Sequence, residues 1–460
     1  MQELEMSSPT LPAQSSLRRR VFNLAWPVIS ENFLETMLGV VDTWLVAGLG
    51  AVALAGVGTA IQVMFFIIAT LSSISVGSAV LVAQAVGART FERASALAKQ
   101  SLVWSIFISL PLILVGVLAG HRIIGIFGVA PEVQVIGEAY LRVTMGTMVV
   151  LTLLLIGGGV LRGAGDTRTP MLVTAFANVI NIGLAWALIY GKFGLPALGA
   201  VGSAWATFIA RGIACVLMLY ALWRGRNGVS IRGPGGWWPN LPIARQIMGI
   251  GIPAAVEQVL ISTAFLTLTI VVATLGTATL AAQRVALNAM SVSFLPGFGF
   301  GMAATALVGQ SIGARRPQDG QAAARIATWW GVAWMGGLGI IFLLFSRQIM
   351  GFFTADQQVI EIGAVGLRVV ALTQPLWAIS FVQAGALRGT GNTNYPLRVN
   401  VAGMWLAVGL STLFITYVSQ NLGVVWVSFL ITSPVTAFLL WRRFNRVISS
   451  PLVPVNIEKL

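Results

Sequence analysis

Leu161-Arg162-Gly163-Ala164-Gly165-Asp166-Thr167 returns 226 residues later as Leu387-Arg388-Gly389-Thr390-Gly391-Asn392-Thr393, with Pro170 matched by Pro396. The same offset carries Pro27 onto Pro253, Glu31 onto Glu257 and Gly50 onto Gly276. It also carries Val82-Ala83-Gln84 onto Val308-Gly309-Gln310, Gly87-Ala88-Arg89 onto Gly313-Ala314-Arg315, and Leu141-Arg142 onto Leu367-Arg368. So many matches at one offset mark an internal duplication, and the fold is that of one half, built twice.

The solvent of that fold is lipid. Of the 460 residues 57% are hydrophobic and only 9% charged, against roughly a quarter charged in an ordinary soluble domain. Crossing a hydrocarbon core of about 30 Å takes about 20 helical residues. Twelve apolar runs suffice: 22–48, 57–86, 101–119, 136–160, 171–190, 198–222, 249–275, 282–309, 327–345, 361–386, 397–417 and 422–440. The expectation is an all-α membrane protein of twelve spans in two six-helix repeats. Six is even, so both repeats enter the membrane in the same sense, related by an axis along its normal with a cleft between them.

The formal charge of +14 would suit nucleic acid only if the basic residues shared a solvent face. They mark topology instead. Most fall before the first span, after the last or in even-numbered loops, among them Arg18, Arg19, Arg20, Arg89, Arg93, Lys99, Arg224, Arg226, Arg315, Arg316, Arg442 and Arg443. The positive-inside rule then puts those loops and both termini in the cytoplasm, with the protein multi-pass in the inner (cytoplasmic) membrane. Trp223 and Trp441 read as interfacial anchors. The division that follows is a tail 1–20, a lobe 21–222, a cytoplasmic linker 223–248, a second lobe 249–441 and a tail 442–460. The lone Cys215 removes any disulfide framework, and the only histidine, His121, reads as solvated in an outer loop.

Acids at membrane depth cost at least about 2.5 kcal/mol each on insertion scales, so each needs a reason. Glu31, Glu35 and Asp42 lie in span 1 at spacings that put them within a sector of about 40° on one helix, and Glu257 lies in span 7. Mutual repulsion and desolvation disfavour charging all three span-1 acids at once, and such a stripe can exchange protons or an alkali cation for a cationic substrate. The competing reading pairs them with intramembrane arginines such as Arg211 or Arg284. Pro27 and Pro253 precede the symmetric glutamates by four residues and are either bending points or prolines near a helix start. Gln62, Asn178, Asn181, Gln258, Gln283, Asn288 and Gln383 are candidates for a wet lining, and Trp44 for a surface on which a cation stacks. The glycine strings lack the Gly-Lys-Ser/Thr of a phosphate loop, so transport has to draw on an ion gradient.

With Pro27, Val41-Asp42-Thr43 followed by Ala47-Gly48, the two Leu-Arg-Gly turns and Gly199-Ala200-Val201-Gly202-Ser203-Ala204 in view, the chain resembles the multidrug and toxic compound extrusion (MATE) family over nearly its whole length. The resemblance implies that Asp42 matches a span-1 aspartate that couples protons or sodium, Glu257 a span-7 glutamate of the cation site with Na+ possible at both, and Asn181 an asparagine of the amino-terminal lobe site. Two acids of relatives are missing: Ala185 stands where some carry aspartate, and no acid lies near Gln374–Gln383. The resulting expectation is a monomeric antiporter, not an enzyme. It needs no cofactor beyond H+ or Na+ and exports small cationic compounds. A lipid-linked precursor flippase, which would favour a cationic cavity, and a membrane-embedded enzyme are the rivals.

Overall fold

The computed structural model describes residues 14–233 and 235–450. The outer parts of both tails and Pro234 of the linker lie outside the described residues. Within them the chain is helical, with one isolated bridge between Arg226 and Val229 in the linker.

The 226-residue offset fixes the helices as well as the residues. The first half runs α1 (Gln14–Ala47), α2 (Ala51–Gly87), α3 (Phe91–Gly125), α4 (Pro131–Gly146), α5 (Met148–Gly163), α6 (Arg168–Tyr190) and α7 (Ala200–Arg224). The second runs α8 (Leu241–Ala273), α9 (Thr277–Gly313), α10 (Pro317–Leu344), α11 (Ser346–Phe353), α12 (Gln357–Gly389), α13 (Asn394–Tyr417) and α14 (Leu422–Ser449). The two halves interrupt their helices at different places. The chain bends by 53° between α4 and α5, where Gly146 lacks a side chain and the Thr147 hydroxyl donates back to the Val143 carbonyl. The counterpart α12 is unbroken, whereas the counterpart of α3 is divided at Phe345 into α10 and α11.

The twelve-span expectation therefore fits, with spans of unequal apolarity. Ten helices are long and apolar enough to cross a bilayer, and the bent α4–α5 pair makes an eleventh. The twelfth, α1, is 34 residues long but has a low mean hydropathy, because it carries Glu31, Glu35 and Asp42. His121 lies in the last turns of α3 rather than in a loop, exposed, with Nδ1 2.9 Å from Glu138.

The identical turns have one cause. After α5 the Asp166 amide donates to the Leu161 carbonyl and Gly165 turns left-handed at φ 86°. After α12 the Asn392 amide donates to Leu387 and Gly391 sits at φ 87°. A Cβ is strained in that conformation, so both positions require glycine.

The lobes are interleaved. Leu17, Val21, Leu24 and Ala25 of α1 are buried among Phe300, Leu307, Val382, Leu387 and Phe444 of the second half, whereas Leu45 and Val46 at its other end join a first-half core. Helix α8 mirrors this: Ile247 packs with Leu81, Leu97 and Leu222, and Ala264, Leu268 and Val272 with the second half. Each crossing helix changes partner around its proline. Pro27 stands well inside α1 and cannot donate to the Asn23 carbonyl, which instead accepts the Thr167 hydroxyl at 3.4 Å. Pro253 is likewise internal to α8, so the helix-start reading of both prolines is set aside.

Between these crossings, α2 and α9 meet so closely that a Cβ on Gly87 would run into the Gln310 carbonyl, and one on Gly313 into the Gln84 carbonyl. The Gly297-Phe298-Gly299-Phe300-Gly301 string is unbroken helix, used for packing: a Cβ on Gly299 would meet Ile29 of α1. Overpacking at such a contact costs about 1–3 kcal/mol. Gly313→Ala is accordingly expected to lower thermal stability in detergent, and Gly58→Ala, with open space around it, to leave it unchanged. Equal melting curves for the two variants would contradict the contact.

Candidate functional site

The intramembrane glutamates are not bare. Glu31 of α1 receives Arg162 Nη1 from the end of α5, 3.1 Å from each carboxylate oxygen. Glu257 of α8 receives Arg388 Nη2 from the end of α12 at 2.8 Å on Oε1. The two pairs are repeat images, each spanning 131 residues of sequence. The pairing idea thus holds for these two acids with different partners: Arg162 and Arg388 of the Leu-Arg-Gly turns, rather than Arg211 or Arg284. The turns close the helix backbone and also send an arginine back into the bilayer.

The two sites then diverge. Asn400 of α13 donates a second hydrogen bond to Glu257 Oε1, at 2.6 Å, and its repeat position, residue 174, is a threonine. Glu257 Oε2 is nevertheless buried without a partner. Glu31 has both oxygens engaged by its arginine.

The span-1 stripe therefore falls into separate environments rather than one exchange surface. Glu31 is buried and ion-paired, Glu35 is exposed, and Asp42 is half-buried with Oδ1 shielded and unpartnered. Trp44, Gln62 and Asn288 are exposed. The other polar candidates are mostly engaged within the helical framework. Asn178 donates to the Leu34 carbonyl at 2.8 Å, tying α6 to α1; Asn181 donates to the Thr207 hydroxyl at 3.0 Å; Gln383 donates to Thr328 at 3.0 Å; Gln258 reaches Ser262 at 3.5 Å. Gln283 is buried with neither amide atom satisfied, and Asn181 Oδ1 and Gln383 Oε1 are also unpartnered. Near Asn181, Thr144, Thr147, Thr207, Phe208 and Arg211 line a small cleft at the α4–α5 bend, with room for about one water molecule.

Among the described residues no group of three or more His, Cys, Asp or Glu could hold a metal ion. Glu257 faces a guanidinium and an amide, both donors.

Sequence reasoning missed Arg162 and Arg388. The signal was present, since both residues and both glutamates obey the same offset; the four belong to one symmetric pair of pairs. Removing one member of a buried pair leaves an uncompensated charge and costs about 3–5 kcal/mol. Arg388→Ala is expected to be destabilised on that scale, and Glu257→Gln with Arg388→Gln to recover most of the loss, in denaturant unfolding of the purified protein. Equal stability of Arg388→Ala and the double variant would contradict a structural role for the pair.

The comparisons agree with this construction. The family model MatE matches the chain twice, over residues 27–187 and 253–413, at the offset of the internal repeat. A probable multidrug resistance protein NorM of Thermotoga maritima is 31% identical over 413 residues, covering 89% of this chain and 88% of the relative. A multidrug resistance protein NorM of Burkholderia vietnamiensis is 31% identical over 422 residues, 88% of each chain. An outward-facing multidrug resistance MATE family transporter of the MOP superfamily superposes with a TM-score of 0.87 at 23% identity, covering 98% of this chain and all of that one. A MOP superfamily transporter from Pyrococcus furiosus gives 0.86 at 24%, covering 96% and 99%. With two matches to one family model, NorM relatives along most of its length and this helix order, the chain is a multi-pass membrane protein and belongs to the MatE family of multidrug and toxic compound extrusion transporters.

Proposed function

We propose that the chain is a secondary antiporter that expels small amphipathic organic cations in exchange for protons, by alternating access between its two lobes. The observation that carries this reading is the buried Glu257, held by Arg388 and Asn400 on one oxygen and unpartnered on the other. A shielded carboxylate oxygen without a donor is costly, and a proton arriving there neutralises the carboxylate and weakens its hold on Arg388. Sodium would need oxygen ligands and would face the guanidinium, which repels it. The second acceptor is Asp42, whose Oδ1 is likewise shielded and alone.

In this cycle the basic loops lie in the cytoplasm, as the positive-inside rule places them in an inner-membrane protein. A cationic substrate enters between the lobes, draws charge from the carboxylates on α1 and α8, and is released outside when protons take its place. Glu35 and the aromatic surface at Trp44, both exposed on α1, supply charge and stacking to the passing cation. A flippase for an anionic lipid-linked precursor fits less well. It calls for a cationic cleft, and here the arginines at the two glutamates are already neutralised.

Efflux of a fluorescent organic cation from proteoliposomes tests the reading, with inward proton and sodium gradients imposed separately. A proton gradient is expected to drive wild-type efflux, faster as the external pH falls. Asp42→Asn and Glu257→Gln are expected to lose about tenfold or more of the initial rate. Efflux driven by sodium alone would overturn the proton assignment, and no cation efflux under either gradient would overturn the antiport reading.

A further inference from the structure

Where the lobes meet at the basic end of the bundle, their contacts are reciprocal. Gln84 of α2 donates Nε2 to the Gly389 carbonyl of the second lobe at 3.1 Å. Its repeat image, Gln310 of α9, donates Nε2 to the Gly163 carbonyl of the first lobe at 3.0 Å. Both acceptors are the glycine of a Leu-Arg-Gly turn. Arg20 of α1 donates to Gln310 Oε1 at 2.8 Å, holding that amide with its nitrogen toward Gly163. The fit is tight: a Cβ on Gly165 would come within 3.0 Å of Gln310 Nε2, and the backbones of Gly87 and Gly313 touch Gln310 and Gln84 directly.

These turns also supply the buried ion pairs. Gly163 follows Arg162, whose side chain holds Glu31, and Gly389 follows Arg388, whose side chain holds Glu257. Each lobe thus contains a short line of contacts from a membrane-depth carboxylate, through one arginine and one peptide, to a glutamine of the opposite lobe. We propose that Gln84 and Gln310 are positioning residues that latch the two lobes together at the basic end, and that the Leu-Arg-Gly turns transmit the state of Glu31 and Glu257 to that latch. When a glutamate no longer holds its arginine, the arginine and the turn behind it gain freedom, the carbonyl leaves the glutamine, and the lobes separate at this end. The pseudo-twofold arrangement explains why Val-Ala/Gly-Gln and Leu-Arg-Gly-x-Gly are retained together in both halves: each motif of one half is the partner of the other motif in the other half.

The proposal rests on the alternating-access reading, and its test needs neither substrate nor ion gradient. Spin labels at Glu92→Cys of α3 and Gln318→Cys of α10, exposed repeat-related positions at the basic end, report the separation of the lobes in a Cys215→Ser background. In nanodiscs the parent protein is expected to give one short distance by pulsed electron-electron resonance. Gln84→Met with Gln310→Met keeps the side-chain length and removes the donors, and is expected to add a longer-distance population. Glu257→Gln alone is expected to add the same population, and to add no more when combined with Gln84→Met. Unchanged distances in the methionine variant, with its melting curve intact, would overturn the latch. A latch that opens on loss of the glutamines but stays closed in Glu257→Gln, or additive shifts in the combined variant, would overturn transmission through the turn. If the methionine pair fails to fold, Gln84→Met and Gln310→Met tested singly carry the same two expectations.

Discussion

A carboxylate in a hydrocarbon slab has to be paired, protonated or wet, and two of this chain's buried acids are paired with arginines. Glu31 and Glu257 therefore fix the positions of Arg162 and Arg388, and through them the ends of α5 and α12. Because those helix ends are closed by glycines in left-handed turns, the backbone carbonyl next to each arginine is held at a defined place on the lobe interface. The electrostatics of the membrane interior and the geometry of the lobe contact are thus parts of one local structure, repeated by duplication.

Duplication also explains how two lobes related by an axis along the membrane normal remain attached while able to move. The first helix of each half begins in the other half's core and ends in its own, changing sides near Pro27 and Pro253. A helix that crosses between bodies transmits rotation between them, and a proline at the crossing lowers the cost of bending there. The asymmetries fall on the same frame. The N-terminal half bends at Gly146–Thr147 and leaves a small cleft beside Arg211, whereas the C-terminal half keeps α12 unbroken and gives Glu257 an extra donor in Asn400. The two halves have kept one architecture and diverged in the chemistry around their glutamates.

Much of this was legible in the residues. The offset predicts the helix order, and even helix ends such as those of α2 and α9 agree with it, because caps and turns are local devices written in Gly and Thr. The acids on α1 and α8 stood out because charge at membrane depth has few explanations. Pairing was harder to read: periodicity places Glu31, Glu35 and Asp42 on one stripe but cannot say that only Glu31 meets an arginine. That depends on where the end of α5 comes to lie beside α1, 131 residues away in sequence. Likewise the repeat singles out Gln84 and Gln310 without showing what they touch, since a contact between lobes leaves no periodic trace in either one. Asn178 and Asn181, expected to line a cavity, donate to Leu34 and Thr207, which is how polar side chains between membrane helices are commonly satisfied.

The central claim is that protons and substrate compete for the carboxylates on α1 and α8. It is tested most directly by counting the protons released when an organic cation binds to the purified protein, from binding heats in buffers of different ionisation enthalpy. The account predicts release of protons on binding, reduced in Asp42→Asn and Glu257→Gln. Binding with no proton release in the unsubstituted protein would contradict it.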